Sequence, residues 1–347
     1  INRTRKRSFK KLVKNQIMKD ILNKLFAHKT LYREEAKNIL LEISSGTHNH
    51  SHVTSFLTVF MIRNITVEEL EGFRDALIEL CISIDLKKYN TIDLCGTGGD
   101  NKDTFNISTI SAFITAGAGI KVAKHGNYGV SSSCGSSNVL ENLGIRFSND
   151  QSFIENCIEK SGICILHAPL FHPAMKHVAP IRRELGLKTF FNMLGPLVNP
   201  SNPNNQMVGV YSLELARLYS YVFQKSNKNF SIIHSLDGYD EVSLTGNVKI
   251  ISNNSEKIFE PSDFDLNILK PKSIVGGNSI SESAKIFMNI LNNKGSCSQN
   301  NVVLVNSGIA ISTAQNISIK NGIKKARESL NSGKALNAFK TLKKLSK

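Results

Sequence analysis

Residues 93–109, DLCGTGGDNKDTFNIST, place a short apolar run directly before a polar loop that contains three glycines. The apolar stretch TISAFITAGAG, which has helical length, continues from Thr109. This order predicts a strand, a loop and a helix. In an α/β sheet, ligands bind where strands end and helices begin. The stretch therefore predicts a parallel sheet that carries a binding loop at the end of one strand.

The rest of the chain repeats this alternation. Short apolar runs recur from residue 91 onward: TIDLC, IKVAK, GICILH, MVGVYS, SIIHSL and NVVLV. Segments of helical length separate most of them, which predicts a large α/β domain with a mainly parallel central sheet over residues 89–347. Residues 16–88 contain no strong strand candidate, and TVEELEGFRDALIELC begins with a capping box from Thr66 to Glu69. We therefore expect a small helical N-terminal domain before the α/β domain.

Composition narrows the class of protein. The chain has 347 residues, of which 41% are hydrophobic and 20% charged, as in ordinary globular proteins. No apolar run approaches the roughly 20 residues that span a bilayer, so we expect no membrane segment. The six cysteines lack the close spacing of metal sites, which favours reduced thiols and a cytoplasmic location. Residues 1–15 are strongly basic and are expected to form a disordered tail.

The formal net charge of +15 has two interpretations. It fits attraction to phosphates or nucleic acid, and it also fits a compositional bias, because lysine is scattered along the whole chain. A phosphorylated substrate would give the charge a local role. Charge alone leaves the choice open.

The first glycine loop is suited to phosphate. Gly96, Gly98 and Gly99 allow a sharp turn and close backbone approach to a ligand. Ser108 and Thr109 lie at the start of the predicted helix, where free N–H groups attract anions. A plain glycine turn followed by a helix cap remains the alternative, because the pattern is neither GxGxxG nor GxxxxGK[ST].

A second polar loop, KHGNYGVSSSCGSSN at 124–138, follows the apolar run IKVA. Lys124 offers a mobile positive charge for a phosphate, and Asn127 offers hydrogen-bond donors. A serine-rich surface loop is the alternative explanation. Two such loops after two successive strands favour a ligand with several negative charges.

Two further clusters complete the candidate site. In DGYDEVSLTG at 237–246, the adjacent carboxylates of Asp240 and Glu241 suit Mg²⁺, although a solvated acidic turn has the same composition. In the segment 172–200, Arg182 and Arg183 lie among apolar residues, and one of them is expected to face inward and bind a carboxylate. His172 is either a ligand contact or a structural histidine. NMLGPLVNP is typical of a bend because it is rich in glycine and proline.

These clusters, in this order, resemble the anthranilate phosphoribosyltransferase family from about Met18 to the C-terminus. The motifs that carry the resemblance are GTGGD, NIST, KHGN, HPAMK, RRELG, FNMLGPLVNP and DGYDEVSLTG. The resemblance implies a nucleoside phosphorylase/phosphoribosyltransferase-like fold, in which helices from about 170–195 join the helical domain. It implies transfer of phosphoribosyl from phosphoribosyl pyrophosphate (PRPP) to anthranilate in tryptophan biosynthesis, with Mg²⁺ as cofactor. It also implies a homodimer formed through the helical domains and a possible association with a glutamine amidotransferase or anthranilate synthase subunit.

The resemblance further implies a role for each matching residue. The PRPP ligands would be Gly96, Thr97, Gly98, Gly99, Asp100, Thr104, Asn106, Ser108, Thr109, Lys124, Asn127 and Ser136. The anthranilate ligands would be Gly96, His125, Asn127, His172, Arg182 and Pro196, with Arg182 on the carboxylate. The Mg²⁺ ligands would be Ser108, Asp240 and Glu241. The catalytic residues would be Lys124, Asp240 and Glu241.

Three positions depart from the family pattern. Tyr128 replaces an arginine, Asn138 replaces an aspartate, and Ser235 stands where HG is typical. Two other functions share this fold. A pyrimidine nucleoside phosphorylase is expected to carry KHSTGG where this chain has KHGNYG. A paralogue that binds single-stranded nucleic acid is expected to have more aromatic rings for stacking than a chain with no Trp and 7 Tyr.

Overall fold

The computed structural model describes residues 16–129 and 134–347. The predicted disordered tail, residues 1–15, lies outside the described residues. Contacts among the described residues define two compact units, one formed by residues 16–82 with His172–Val198 and one formed by residues 83–129 and 134–171 with Asn199–Lys347. The predicted domain boundary at 88/89 and the predicted joining segment of about 170–195 stay predictions beside these contact-defined limits.

The smaller unit is helical. Its elements, numbered along the chain, are α1 (16–26), α2 (Arg33–Ser44), α3 (His50–Ile62), α4 (Val67–Glu79), α9 (Ala179–Leu185) and α10 (Phe191–Leu194). The capping box of α4 forms as predicted, because the Thr66 side chain accepts from the Glu69 N–H and Glu69 reaches back to the Thr66 N–H. One short 3₁₀ helix, Pro173–His177, precedes α9, and another, Gly195–Leu197, follows α10. The stretch NMLGPLVNP, predicted as a bend, is therefore helical as far as Leu197.

The larger unit is an α/β structure with a seven-stranded sheet. Its strands are β1 (Ile92–Gly96), β2 (Val122–Gly126), β3 (Ile163–His167), β4 (Asn205–Gly209), β5 (Asn229–Ser235), β6 (Val248–Ser252) and β7 (Glu256–Phe259). Its helices are α5 (Ile107–Gly117), α6 (Ser136–Asn142), α7 (Gln151–Ser161), α8 (Ala168–Phe171), α11 (Leu213–Gln224), α12 (Ile280–Leu291), α13 (Cys297–Gln315), α14 (Ile319–Asn331) and α15 (Lys334–Leu345). The predicted fold class is confirmed.

The order of the strands determines where a ligand can bind. The sheet runs β3-β2-β1-β4-β5-β6-β7, and the first five of these strands in the row are parallel. The chain moves from β1 outward to β3 and then returns to place β4 on the other side of β1. Ligands of such sheets bind beside the carboxyl ends of the strands at this switch point. Gly96 and Gly209 are paired there, at the ends of β1 and β4.

One predicted strand is wrong. NVVLV lies inside α13, whose residues Val302–Ile311 are all buried. A helix that is buried on every side has no polar face, so its short apolar run resembles a buried strand. The antiparallel strands β6 and β7 were not predicted, because their sequences, VKIIS and EKIF, mix charged and apolar residues.

Aromatic side chains fill both cores. In the smaller unit, Phe73 stacks on Phe190 with ring centroids 4.3 Å apart, and Phe56 and Phe60 meet these rings edge to face. Such pairs contribute about 0.5–1.5 kcal/mol each beyond the area they bury. They join α3 and α4 to the chain segment that carries α9 and α10.

The described helices differ from membrane-spanning helices in length and apolar content. Among residues 16–129 and 134–347, no single helix is long and apolar enough to cross a membrane. Helices α13 and α14 together have the length and apolar composition of a membrane span, but the chain bends by 117° between them.

Candidate active site

The loop after β1 is bonded to β4 and to an acidic residue of the loop after β5. The Thr97 N–H donates to the Gly209 carbonyl oxygen at 2.9 Å, and the Gly98 N–H donates to the Asp240 carboxylate at 2.7 Å. Gly98 and Gly99 have φ values of 64° and 82°, a region that glycine enters at little cost. The predicted glycine loop therefore lies at the switch point, beside the acidic residues that follow β5.

Two glycines make room for Asp240. A Cβ at Gly96 would lie 2.2 Å from an Asp240 carboxylate oxygen, and a Cβ at Gly209 would lie 1.4 Å from the Asp240 carbonyl oxygen. Both distances are far below van der Waals contact. The sequence analysis did not identify Gly209 as a site residue, although a glycine inside the predicted strand MVGVYS indicates that another part of the backbone approaches closely.

Glu241 lies at the N-terminus of α5. Its carboxylate accepts from the Ser108 N–H at 2.9 Å, and Thr104 Oγ1 lies 3.5 Å from its other oxygen. A negative charge at this end of a helix is stabilised by the free N–H groups and the helix dipole. The predicted anion site at the start of α5 is thus occupied, in part, by a carboxylate of the protein itself.

Three carboxyl groups share this region, and all have raised pKa values. Burial, followed by the charge of Asp100, raises the pKa of Asp240 to about 7. Burial and the neighbouring Asp240 raise the pKa of Glu241 well above its usual range, and burial raises that of Asp100. Groups that repel one another in this way would ionise readily around a cation.

The chemistry of these donors fits Mg²⁺, which prefers carboxylate oxygens and keeps part of its shell for water and phosphate. In the part of the chain that the structure describes, no three His, Cys, Asp or Glu side chains are grouped so that they could hold a metal ion by themselves. The adjacent carboxylates of Asp240 and Glu241 would therefore need water or a phosphorylated substrate to complete the ligands of a magnesium ion.

Lys124 is placed differently from the prediction. It lies in β2, is only 2% exposed, and donates from Nζ to the Leu94 carbonyl oxygen at 2.5 Å. It is therefore not a mobile surface cation. Burial raises the pKa values of Asp93 and Glu241, and the positive charge of Lys124 partly offsets this rise. Lys124 therefore influences the acidic groups from inside the sheet.

The sequence analysis did not identify Asp93 and Asn199, which belong to one buried hydrogen-bond network. Asp93 is fully buried in β1 and accepts from the His125 N–H at 3.0 Å and from Asn199 Nδ2 at 2.9 Å. Asn199 Nδ2 also donates to the Ala123 carbonyl oxygen at 2.9 Å. A buried carboxylate is retained only when it is well bonded. An aspartate in an otherwise apolar strand, TIDLC, was the available signal.

The second loop is described at residues 124–129 and 134–138. Its two sides meet where the Asn127 carbonyl oxygen accepts from the Ser137 N–H at 3.1 Å and from Ser136 Oγ at 3.2 Å. Asn106, the residue before α5, donates from Nδ2 to the Cys134 carbonyl oxygen at 3.0 Å. The structure thus brings the two predicted phosphate loops together. Thr109, by contrast, is buried in α5.

In the smaller unit, Arg182 faces inward and Arg183 is exposed, as the sequence predicted for one of the pair. The Arg182 guanidinium lies 5.0 Å from the centre of the Phe191 ring, and burial alone lowers its pKa. Its Nε is buried without a hydrogen-bond partner. The arginine is therefore partly buried, with its Nε fully buried, and it carries a charge that the described residues leave uncompensated.

The other two predicted residues of this unit are buried. His172 Nε2 lies 3.0 Å from the Val198 carbonyl oxygen, and Pro196 is in the 3₁₀ helix Gly195–Leu197. The Val198 contact fixes the orientation of the His172 ring within its own unit.

Comparison with known proteins connects these features. The helical bundle domain of a glycosyl transferase family matches residues 19–81, and the a/b domain of that family matches residues 88–336. The chain is 64% identical over 329 residues to the anthranilate phosphoribosyltransferase of Flavobacterium psychrophilum, covering 95% of this chain and 100% of the relative. The enzyme of Christiangramia forsetii is 62% identical, covering 95% and 99%.

The chain belongs to the anthranilate phosphoribosyltransferase family.

Solved structures of this family have the same fold. The Saccharomyces cerevisiae anthranilate phosphoribosyltransferase in complex with PRPP and Mg is similar with a TM-score of 0.87 and 29% identity, covering 95% of this chain and 97% of that one. The Thermus thermophilus anthranilate phosphoribosyltransferase has a TM-score of 0.85 and 29% identity, covering 93% and 98%.

The three departures from the family pattern all have defined partners. Tyr128 donates from its hydroxyl to Glu141 at 2.8 Å. Asn138 Oδ1 accepts from the N–H groups of Gly129 and Gly135, at 3.0 and 3.1 Å. Ser235 donates from Oγ to the Glu241 carbonyl oxygen at 2.6 Å. In this member of the anthranilate phosphoribosyltransferase family, Ser235 therefore contributes directly to the position of an acidic site residue.

Proposed function

We propose that this protein transfers the phosphoribosyl group of PRPP to the amine of anthranilate and releases pyrophosphate, in tryptophan biosynthesis. The observation that carries the proposal is the junction of the glycine loop with the acidic pair. The Gly98 N–H binds Asp240 and the Ser108 N–H binds Glu241, so a phosphate loop and potential metal ligands lie at one sheet edge.

The reaction needs no strong base: the amine forms the new C–N bond as the C–O bond to pyrophosphate breaks, and the proton that the amine then loses passes to solvent or to the released pyrophosphate. The aromatic amine of anthranilate is neutral near pH 7, whereas pyrophosphate must leave while C1 of the ribose gains positive charge. Oriented N–H groups of the glycine loop would stabilise the departing negative charge. Asp240, Glu241 and Ser108 would hold Mg²⁺, which would supply further positive charge to the same group when bound. Lys124 would tune the carboxylates from within the sheet.

The remaining PRPP contacts are assigned to the two loops. We propose that their backbone and polar side chains bind PRPP through the following residues: Gly96, Thr97, Gly98, Gly99, Asp100, Thr104, Asn106, Ser108, Asn127 and Ser136. The burial of Thr109 in α5 and of Lys124 in β2 removes these two residues from the predicted set of direct contacts. The Asn106 contact to Cys134 supports this assignment, because it joins the loops.

Anthranilate carries a carboxylate, and Arg182 is the residue we assign to it. A guanidinium that is buried without a counter-charge is costly, and a bound carboxylate would offset that cost with charge-assisted hydrogen bonds. We assign the remaining anthranilate contacts to the following residues: Gly96, His125, Asn127, His172 and Pro196.

The helical unit supports a proposed homodimer. A groove of about 390 Å³ is lined mainly by α1 and α3, and its apolar residues Phe26 and Ile62 are 58% and 79% exposed. Large apolar side chains that lie together at a surface mark interaction sites. We propose that a second copy covers this groove. A cytoplasmic location and association with a glutamine amidotransferase or anthranilate synthase subunit stay predictions from the family resemblance.

The function is tested by following anthranilate fluorescence. Anthranilate is expected to be consumed only when PRPP and Mg²⁺ are both present. Omitting either component, or adding excess EDTA, serves as the control. Tight binding to single-stranded DNA that weakens with salt, without consumption of anthranilate, would contradict the proposal and favour a nucleic-acid-binding paralogue.

A further inference from the structure

The environment of Arg182 contains a second feature beside the Phe191 ring. Asn192, the next residue in α10, has a side-chain oxygen that accepts from Arg182 Nη2 at 3.2 Å. The same oxygen accepts from the Thr189 N–H at 3.2 Å. Asn192 thus connects the guanidinium to the backbone just before α10.

This segment is fixed by the aromatic core. Phe190 and Phe191 stack with centroids 4.6 Å apart, and Phe190 also stacks on Phe73 in α4. The ring under Arg182 and the amide beside it are therefore on neighbouring residues of one anchored turn. A side chain held by a packed ring and a bonded amide has few rotamers, which reduces the entropy lost when a ligand binds.

The bonding partner of the arginine is neutral. An amide oxygen directs the guanidinium without cancelling its charge, whereas a carboxylate at the same place would form a bidentate ion pair with it. Since burial is the sole cause of the lowered pKa of Arg182, the charges of the described residues leave it uncompensated.

We propose that Asn192 is a positioning residue, which orients Arg182 through a neutral acceptor and so keeps its charge available for the carboxylate of anthranilate. This inference rests on the proposed function, in which Arg182 binds that carboxylate. The neutral amide of Asn192 matters for substrate recognition, because a carboxylate at this position would compete with the anthranilate carboxylate for Arg182.

A purely structural role makes the opposite prediction. If Asn192 served only to accept the Thr189 N–H, aspartate would replace it without loss, because both residues accept equally well in such local turns. Asn192→Asp therefore separates the two roles, since it keeps the shape and the acceptor and changes only the charge.

The experiment compares the wild-type protein with Asn192→Asp and Asn192→Ala by steady-state kinetics. KM for anthranilate is expected to rise at least tenfold in Asn192→Asp and severalfold in Asn192→Ala. The dissociation constant for PRPP, from calorimetry, and the thermal midpoint of Asn192→Asp are expected to stay near wild-type values. An unchanged KM in Asn192→Asp overturns the inference.

A double variant separates coupling from general damage. In an Arg182→Ala background, Asn192→Asp is expected to add no further rise in KM, because the charge has lost its partner. Additive effects of the two changes would overturn the inference even if the single variant folds poorly. A wild-type protein that consumes no anthranilate would instead refute the proposed function, and the Asn192 role with it.

Discussion

Replacement of Arg182 by alanine tests how the protein recognises anthranilate. The side chain lies over Phe191, is bonded to Asn192, and carries a buried charge without a compensating carboxylate. Its removal leaves the glycine loop in the other unit unchanged. We therefore expect a selective loss of anthranilate recognition rather than a general loss of substrate binding.

The size of the effect follows from the type of bond. A hydrogen bond to a charged group contributes about 1.5–3 kcal/mol net. At about 1.4 kcal/mol per tenfold, kcat/KM for anthranilate should fall roughly 10- to 150-fold in Arg182→Ala. The free energy of unfolding should change little, because the variant also loses the cost of burying an unpaired charge.

The assay measures kcat/KM for anthranilate by fluorescence and the dissociation constant for PRPP by calorimetry. Arg183→Ala is the matched control, because Arg183 is the adjacent arginine of α9 and is exposed. If Arg183→Ala is the damaging change and Arg182→Ala is silent, the residue assignment is wrong. If both variants weaken both substrates equally, the arginines support packing, and the assigned role in carboxylate binding is refuted.

Three further predictions concern the larger unit. Glu241→Gln keeps the acceptor for the Ser108 N–H but removes a carboxylate that can bind Mg²⁺. The Mg²⁺ concentration for half-maximal rate should therefore rise roughly tenfold or more, while the thermal midpoint does not fall. An unaltered Mg²⁺ titration would mean that Asp240 and Glu241 only form a turn. Gly96→Ala places a Cβ against Asp240 and should weaken PRPP binding at least tenfold. Gly119→Ala, which lies outside both loops, meets no neighbouring atom and should cost about 1–2 kcal/mol of stability through its positive φ without changing PRPP affinity; equal PRPP affinities in the two variants would contradict this. Burial lowers the pKa of His167 below its usual 6.5, so its contribution to stability is present above pH 6.5 and is lost as the pH falls through the folded-state value. Urea unfolding at pH 7 and pH 5 should show a smaller decrease in His167→Gln than in the wild-type protein, and equal decreases would refute this.

The fold was largely predictable because two periodic signals agree. Apolar runs of strand length alternate with segments of helical length, and five of the six predicted runs are strands of the sheet. The sixth, NVVLV, is buried on all sides in α13, where periodicity disappears. The sequence carries no local signal for the order of the strands, which arises from long-range pairing such as Gly96 with Gly209.

The candidate site was less predictable, because side-chain direction depends on tertiary packing. The sequence placed two adjacent arginines near a ligand, and only the aromatic core around Phe191 distinguishes Arg182 from Arg183. Similarly, the motif KHGN predicts a lysine at the end of a strand, but it does not predict that this lysine is buried. Lys124 is buried because β1 pairs with β2 and the Leu94 carbonyl oxygen accepts its hydrogen bond. The Asp93 network joins residues that are far apart in the chain, so no spacing rule identifies it.

The most direct test of the central claim is a stoichiometric product analysis by ³¹P NMR. With wild-type protein, Mg²⁺, PRPP and excess anthranilate, the PRPP signals should be replaced by one phosphoribosyl product and an equal amount of pyrophosphate. Without anthranilate, PRPP should persist over the same period. Unchanged PRPP in the complete mixture, or pyrophosphate release that does not depend on anthranilate, would contradict phosphoribosyl transfer to anthranilate.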